Sequence, residues 1–264
     1  MDKYSEFDYL CNEPFYIDGI GTLKCPTLRD IRKISYNIFM WYLNILSTSK
    51  EKYIETFGLK EQYELLSDDE KEFNSLYKMI LFDKRNLMFL IGILNMFLVE
   101  HYEVNEKTAS FDVYVESTDK IGKQIRQFIG HIGEDNFDLF RNEILKILGC
   151  KEIETKKPKY KSEKAKRLAE KIAKAKEKIQ KTSKQDNNMT LDNMIRKYCT
   201  HNKVGINIMN VWDLTYYQFT TMFNEYCNGR QADINDGMAA NTFSYKEASD
   251  YKPFDWMKNN NKEN

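Results

Sequence analysis

Apolar residues recur at alternating three- and four-residue spacing through much of the first half of the chain, a pattern that predicts amphipathic helices. Ile31, Ile34, Ile38, Trp41 and Ile45, with Tyr36, Phe39, Leu43 and Leu46 on a neighbouring stripe, predict one helix from Thr27 to about Leu46 that packs on two sides. Thr27 followed by Asp30 is its start signal. Further helices are predicted from about Lys50 to Leu65 and from Asp68 to Phe82, the latter behind the capping box of Ser67 and Glu70. The apolar run to Val99, Asp119 to Ile129, and Asp135 to Leu148 complete this set.

Two stretches alternate with the period of a strand. Phe15-Tyr16-Ile17 and Thr22 to Cys25 flank Asp18-Gly19-Ile20-Gly21, whose glycines permit a tight turn, so residues 14–26 read as a hairpin. Phe111 to Val115 reads as a strand that pairs with His101 to Val104. The fold class expected is therefore mainly α, with a helical N-terminal domain (1–150) carrying one or two small β-hairpins.

After Gly149 the pattern changes. Residues 151–188 read as a basic helical connector, exposed around Pro158 and then rich in Ala, Lys and Glu. Ala165, Leu168, Ile172, Ala175 and Ile179 fall on heptad positions, over too few heptads to establish a coiled coil. In that register Lys171 and Lys176 would oppose each other in a parallel homodimer, which favours an acidic partner; the chain's own remainder, another protein and plain solvent all stay open. Residues 189–264 then read as a small helical C-terminal unit. It comprises a helix capped by Thr190, an aromatic helix from Ile208 to Cys227, a turn at Asn228-Gly229, a short helix from Gln231 to Ala240, and a polar, disordered tail.

Composition narrows the function classes. The 264 residues hold 40 basic and 40 acidic side chains, so net charge draws the chain to neither nucleic acid nor membrane. Lys151 to Lys184 nevertheless holds 14 basic residues against 5 acidic, leaving 26 against 35 elsewhere. That segment could neutralise phosphates, but only Tyr160 lies among its lysines as a stacking platform, which makes nucleic acid a weak partner class. Five scattered cysteines suit a reducing compartment better than a disulfide framework. Met1 to Asp8 lack the basic start and apolar run of a signal peptide, so secretion by that route is not expected, and Leu87 to Val99 is too short to span a bilayer, so no membrane association is expected.

Candidate chemistry is sparse. His101, His131 and His201 stand apart from any nucleophile motif, and Cys199-Thr200-His201 is one isolated pair, so no catalytic residue, metal site or cofactor is expected. The aromatic helix is more informative. On a helical projection Trp212, Tyr216, Phe219, Phe223 and Tyr226 share an arc of ~80°, suited to packing. Leu214 and Tyr217 fall on the other side, beside Asp213, Thr221, Asn224 and Glu225, and need a second neighbour. Either the Gln231 to Ala240 helix or the Phe254 to Met257 segment folds back on them, or a partner helix docks there.

Trp212-x-Leu214-Thr215-Tyr216-Tyr217-Gln218, followed by Phe223, Ala239-Ala240 and Trp256-Met257-Lys258, resembles the C-terminal part of tail assembly chaperones of long-tailed bacteriophages. The stretch from Gly21 and Leu23 through Cys25-Pro26-Thr27-Leu28-Arg29-Asp30-Ile31 is similar in style to the opening of phage proteins encoded nearby. Together these parts cover about a third of the chain. The resemblance implies a non-enzymatic morphogenesis factor in the cytoplasm of the infected bacterial host. Its implied partners are the tape measure protein, which it keeps soluble, and the tail tube protein, which it helps recruit; a homo-oligomer stays open. Leu214 and Tyr217 are the expected direct contacts, with Trp212, Tyr216 and Trp256 lining or supporting the groove. The chain departs from relatives that make the second part as a frameshifted extension, because it joins both parts in one product. The competing classes are a structural tail or baseplate connector of the virion and a nucleic-acid-binding protein.

Overall fold

A computed structural model of the chain describes residues 4–118, 124–151 and 189–241, with isolated positions at 167, 247, 250, 252 and 255. The chain is mainly helical with two small antiparallel sheets. It divides into two compact units, one of residues 1–185 with Thr215–Tyr217, the other of residues 186–214 and 218–264. The expected basic helical connector and the C-terminal tail lie almost wholly outside the described residues.

The first unit opens with a short helix, α1 (Glu6–Tyr9), and the hairpin β1 (Phe15–Ile17) and β2 (Gly21–Leu23). The predicted hairpin is borne out, with Phe15 opposite Leu23 and Gly19 and Gly21 at φ of 74° and 127°. The predicted long helix is two, α2 (Leu28–Ile34) and α3 (Tyr36–Ser47). Thr27 and Asp30 form the expected capping box of α2. Ser35 takes a φ of 76°, breaks the helix and accepts from Ile38 N–H to start the next. Local chemistry likewise splits the two helices that follow. Gly58 at φ 67° separates α4 (Lys50–Thr56) from α5 (Lys60–Glu64). Ser75, as a new N-cap, separates α6 (Asp68–Phe73) from α7 (Leu76–Phe82).

The apolar helix α8 (Lys84–Phe97) is core, with Leu90, Ile93, Leu94 and Phe97 fully buried. Its Gly92 lets the Tyr42 ring come so close that a Cβ there would collide with the phenol. Among the described residues no helix is long and apolar enough to cross a membrane.

The second sheet runs β3 (His101–Asn105), β4 (Ser110–Thr118), β5 (Gln124–Ile132), all antiparallel. The first pairing was expected. The helix predicted from Asp119 to Ile129 is not found: Gln124 onward pairs with β4 from Thr118 back to Phe111, and this cross-strand pairing overrides any helical preference. Gly130 sits so close to the β1–β2 turn that a Cβ would overlap the Gly19 carbonyl, and His131 N–H donates to that carbonyl at 3.0 Å.

Helix α9 (Phe137–Ile147) closes this unit as expected, burying Phe137, Phe140, Ile144 and Leu145. It also buries Arg141, whose guanidinium donates to the carbonyls of Leu46 and Thr48 at 3.3 and 2.7 Å and pairs with Asp138. These carbonyls lie at the end of α3, where a helix leaves acceptors unpaired and favours a cation.

The second unit contains α10 (Leu191–His201), a 3₁₀ turn (Val211–Asp213) and α11 (Tyr216–Ala239), whose first two residues belong to the first unit. Thr190 occupies the N-cap position of α10 as predicted. Asn228-Gly229 does not turn; Gly229 stays helical and α11 runs through it, so the separate Gln231–Ala240 helix is the end of the same helix.

Gly130→Ala is expected to destabilise the chain by about 2 kcal/mol, because backbone rather than a flexible side chain stands in the way. Urea unfolding followed by far-UV circular dichroism measures this, and an unchanged midpoint would remove the turn–strand contact from the fold.

Candidate functional site

The segment singled out by sequence is built in two ways. Trp212 lies in the 3₁₀ turn, half-buried, its indole N–H donating to the Ile208 carbonyl at 2.9 Å. Leu214 is extended, with φ −70° and ψ 141°, and half-buried. The predicted helix from Ile208 therefore starts only at Tyr216, and the projection that set Leu214 and Tyr217 on one face does not apply. Trp256 lies outside the described residues.

Thr215, Tyr216 and Tyr217 pack inside the first unit. Thr215 forms a bridge with Thr27, and Tyr216 N–H donates to the Pro26 carbonyl at 2.9 Å. The Tyr216 ring lies 5.1 Å from that of Phe39, and burial, with Cys150, Tyr36 and Cys25 nearby, pushes its phenol up. Tyr217 is 6 % exposed, its ring set edge-on to Tyr9 at 5.7 Å and against Gly149. The expectation that Tyr217 faces a partner is thus corrected: the ring fills the interior, because glycine at 149 carries no Cβ where the ring lies. Beneath these residues Cys25 is buried, and burial pushes its thiol up to about 11 despite hydrogen bonds with Thr215–Tyr217.

The aromatic stripe keeps its packing role within the helix. Phe219 and Phe223 are buried, and Tyr198 of α10 meets Phe219 and Tyr226 edge-on at 6.0 and 5.6 Å.

What the second unit displays lies elsewhere. Between α10 and the 3₁₀ turn the chain is folded by three asparagine side chains. The Asn202 amide donates to the carbonyls of Tyr198 and Ile206 and accepts from Val204 and Ile206 N–H. Asn207 accepts from Met209 N–H at 2.9 Å, and Asn210 accepts from Asn207 N–H at 2.7 Å. With its amides bonded to its own backbone, this loop leaves Val204, Ile208 and Met209 exposed, Met209 at 81 %. Further along, Ile234 and Met238, one turn apart on α11, are also exposed. The helical projection did not reach this display, although Ile234 and Met238 at i, i+4 in a polar stretch were a legible signal.

Polar chemistry gathers at the end of the second sheet, in a cleft of about 680 Å³ lined by Asn105, Ser110, Asp112, Phe128, His131 and Asp135 among others. The Asp112 carboxylate accepts from the Asn105 amide at 2.8 Å and the Ser110 hydroxyl at 3.3 Å. Asp135 bonds the His131 imidazole at 3.0 Å, and that hydrogen bond lowers its carboxyl from the usual range. Glu134 is lowered by its bond to Lys78. The Ser110 hydroxyl and the imidazole do not bond each other among the described residues, so the network closes on itself without joining nucleophile to base. No group of three or more His, Cys, Asp or Glu that could hold a metal occurs among the described residues.

Residues 181–261 match the model of the YomV second domain, under a third of the chain. This match points to a phage protein. No curated protein and no solved structure matches the chain. The matched stretch holds the asparagine-braced loop, all of α11 and the buried Thr215 and Tyr217.

Tyr217→Ala is expected to cost about 3–5 kcal/mol, the range for removing a large buried ring. Thermal or urea unfolding reads it, and a loss within error would place the ring at the surface. In the native protein at pH 8, N-ethylmaleimide is expected to modify exposed Cys11 and Cys227 quickly and Cys25 only on unfolding, since below its raised pKa the thiol stays protonated as well as covered. Peptide mapping after timed labelling checks the order.

Proposed function

We propose that the chain is a phage tail assembly chaperone that binds the tape measure protein, keeps it in solution and helps recruit tail tube subunits. The observation that carries this reading is the apolar display of the second unit, with Val204, Ile208 and Met209 on a braced loop and Ile234 and Met238 on a helix. Apolar side chains held out by a hydrogen-bonded frame suit contact with an apolar client. Methionine adds adaptability, because its unbranched, polarisable side chain accepts differently shaped surfaces along a long helical client. The YomV-like match over the same stretch supports a phage setting. The reading involves no catalytic step and no cofactor, and its setting is the cytoplasm of the infected host. Leu214 and Trp212, both half-buried, support the display from within, and Tyr216 and Tyr217 serve the fold.

Co-expression with the long helical tail protein of the same phage tests the proposal. The soluble fraction of that protein is expected to rise and to co-purify with the chain. Met209→Asp combined with Met238→Asp, both at exposed positions, is expected to leave the melting temperature unchanged and to weaken the complex about ten-fold or more, equivalent to at least ~1.4 kcal/mol. No gain in client solubility, or a double variant that binds like the parent, would sink the reading; recovery of the chain in purified virions would favour a structural tail protein instead.

A further inference from the structure

The β4–β5 ribbon extends beyond the reach of β3. The first strand of that sheet pairs only with residues 110–114, so Val115–Thr118 and Gln124–Gln127 form a two-stranded arm, exposed along its length, with Phe128 opposite Tyr114 at its base. Two strands alone are marginally stable in water. The outer edge of β5 meets the β1–β2 turn at His131, and among the described residues nothing pairs with its backbone over residues 124–128.

Free edges in folded proteins are ordinarily blocked by proline, by lysine or by inward-pointing charge. The edge Gln124-Ile125-Arg126-Gln127-Phe128 has none of these, and the β-bulge of β5 falls just past it, between Phe128 and Gly130, leaving residues 124–128 in regular register with β4. Its one charge, Arg126, bonds Glu103 at 2.9 Å and Glu116 at 3.2 Å and lies over the Tyr114 ring, yet its side chain stays 56 % exposed. Ile125 and Phe128 stand 45 % and 62 % exposed beside it. Such an edge is a template for another strand.

We propose that this edge pairs antiparallel with the same edge of a second copy of the chain, making a two-fold dimer centred on Gln127. The choice of occupant follows from self-complementarity. With Gln127 opposite Gln127, each Arg126 lies across from the partner copy's Phe128, a cation against an aromatic ring, and the two central amides face each other. A register centred one residue earlier sets Arg126 against Arg126 and is disfavoured by like charge. The pairing turns two marginal ribbons into one four-stranded sheet and satisfies the free backbone groups. It uses only the first unit, so it stands or falls separately from the client surface.

Sedimentation velocity of the full chain at micromolar concentration, with two opposed substitutions at Phe128, tests the pairing. The parent is expected to dimerise. Phe128→Lys places like charge across from Arg126 and is expected to raise the dissociation constant about ten-fold or more, whereas Phe128→Glu supplies an opposite charge and keeps the dimer. Phe128 is exposed, and circular dichroism confirms folding of both variants. Gln127→Cys, on the axis, is expected to give an oxidised covalent dimer faster than off-axis Gln124→Cys. A monomeric parent, a dimer indifferent to the sign of charge at residue 128, or equal cross-linking at 127 and 124 would each overturn the proposal. Mixing with an extended client segment that competes for the edge without any self-association would assign it to a client strand instead.

Discussion

One stretch of backbone, Gly19 to Thr27, ties the first unit together. Its carbonyls and amides reach three separate parts of the chain. Gly19 accepts from His131, Thr22 accepts from Val99, Lys24 donates to Phe97, and Pro26 accepts from Tyr216, all between 2.8 and 3.0 Å. The Glu100 carboxylate adds bonds from the Thr22 amide and hydroxyl. Backbone groups that the short hairpin leaves unpaired are thus spent on tertiary contacts, where leaving them unpaired in the interior would cost about 1–3 kcal/mol each. The glycines decide the geometry, since only a residue without a Cβ lets Gly130 and the Gly19 carbonyl meet.

The same stretch explains why Thr215–Tyr217 is core. Pro26 cannot donate, so its carbonyl is the group available to the Tyr216 amide, and the bridge between Thr27 and Thr215 carries the pairing one step further. Once that backbone is fixed, Tyr216 meets Phe39, Tyr217 meets Tyr9, and the Cys25 thiol is sealed below them. The Thr215–Tyr217 part of a motif whose aromatic density suggested a binding surface is instead held by the stretch that follows the first hairpin.

Much of this was legible, and the failures have a common cause. Period-two alternation located β1, β2, β3 and most of β4, and the capping residues Thr27, Ser67 and Thr190 sit at helix starts. Helix existence was read well, but continuity was not, because Ser35 and Ser75 also act as caps inside apparently continuous patterns. Strand β5 was missed since its identity depends on pairing with β4, a contact invisible along the chain. Leu214 and Tyr217 were grouped by a helical period that breaks at Leu214, whereas Phe219, Phe223 and Tyr226, past that break, were grouped correctly. The display of Met209 depends on three asparagines folding the loop, which apolar periodicity does not register.

The two exposed features differ in what they can recognise. The free edge of β5 offers directional backbone groups and side chains at fixed spacing, so a partner must match register and charge pattern. The proposed partner copy would meet that demand because the sequence of the edge complements itself about Gln127. The loop and helix of the second unit offer apolar side chains with the polar backbone already bonded to Asn202, Asn207 and Asn210, so a partner need supply only apolar surface. If both proposals hold, tolerance would let one surface engage many similar turns of a repetitive helical client while self-pairing would multiply the surfaces engaged.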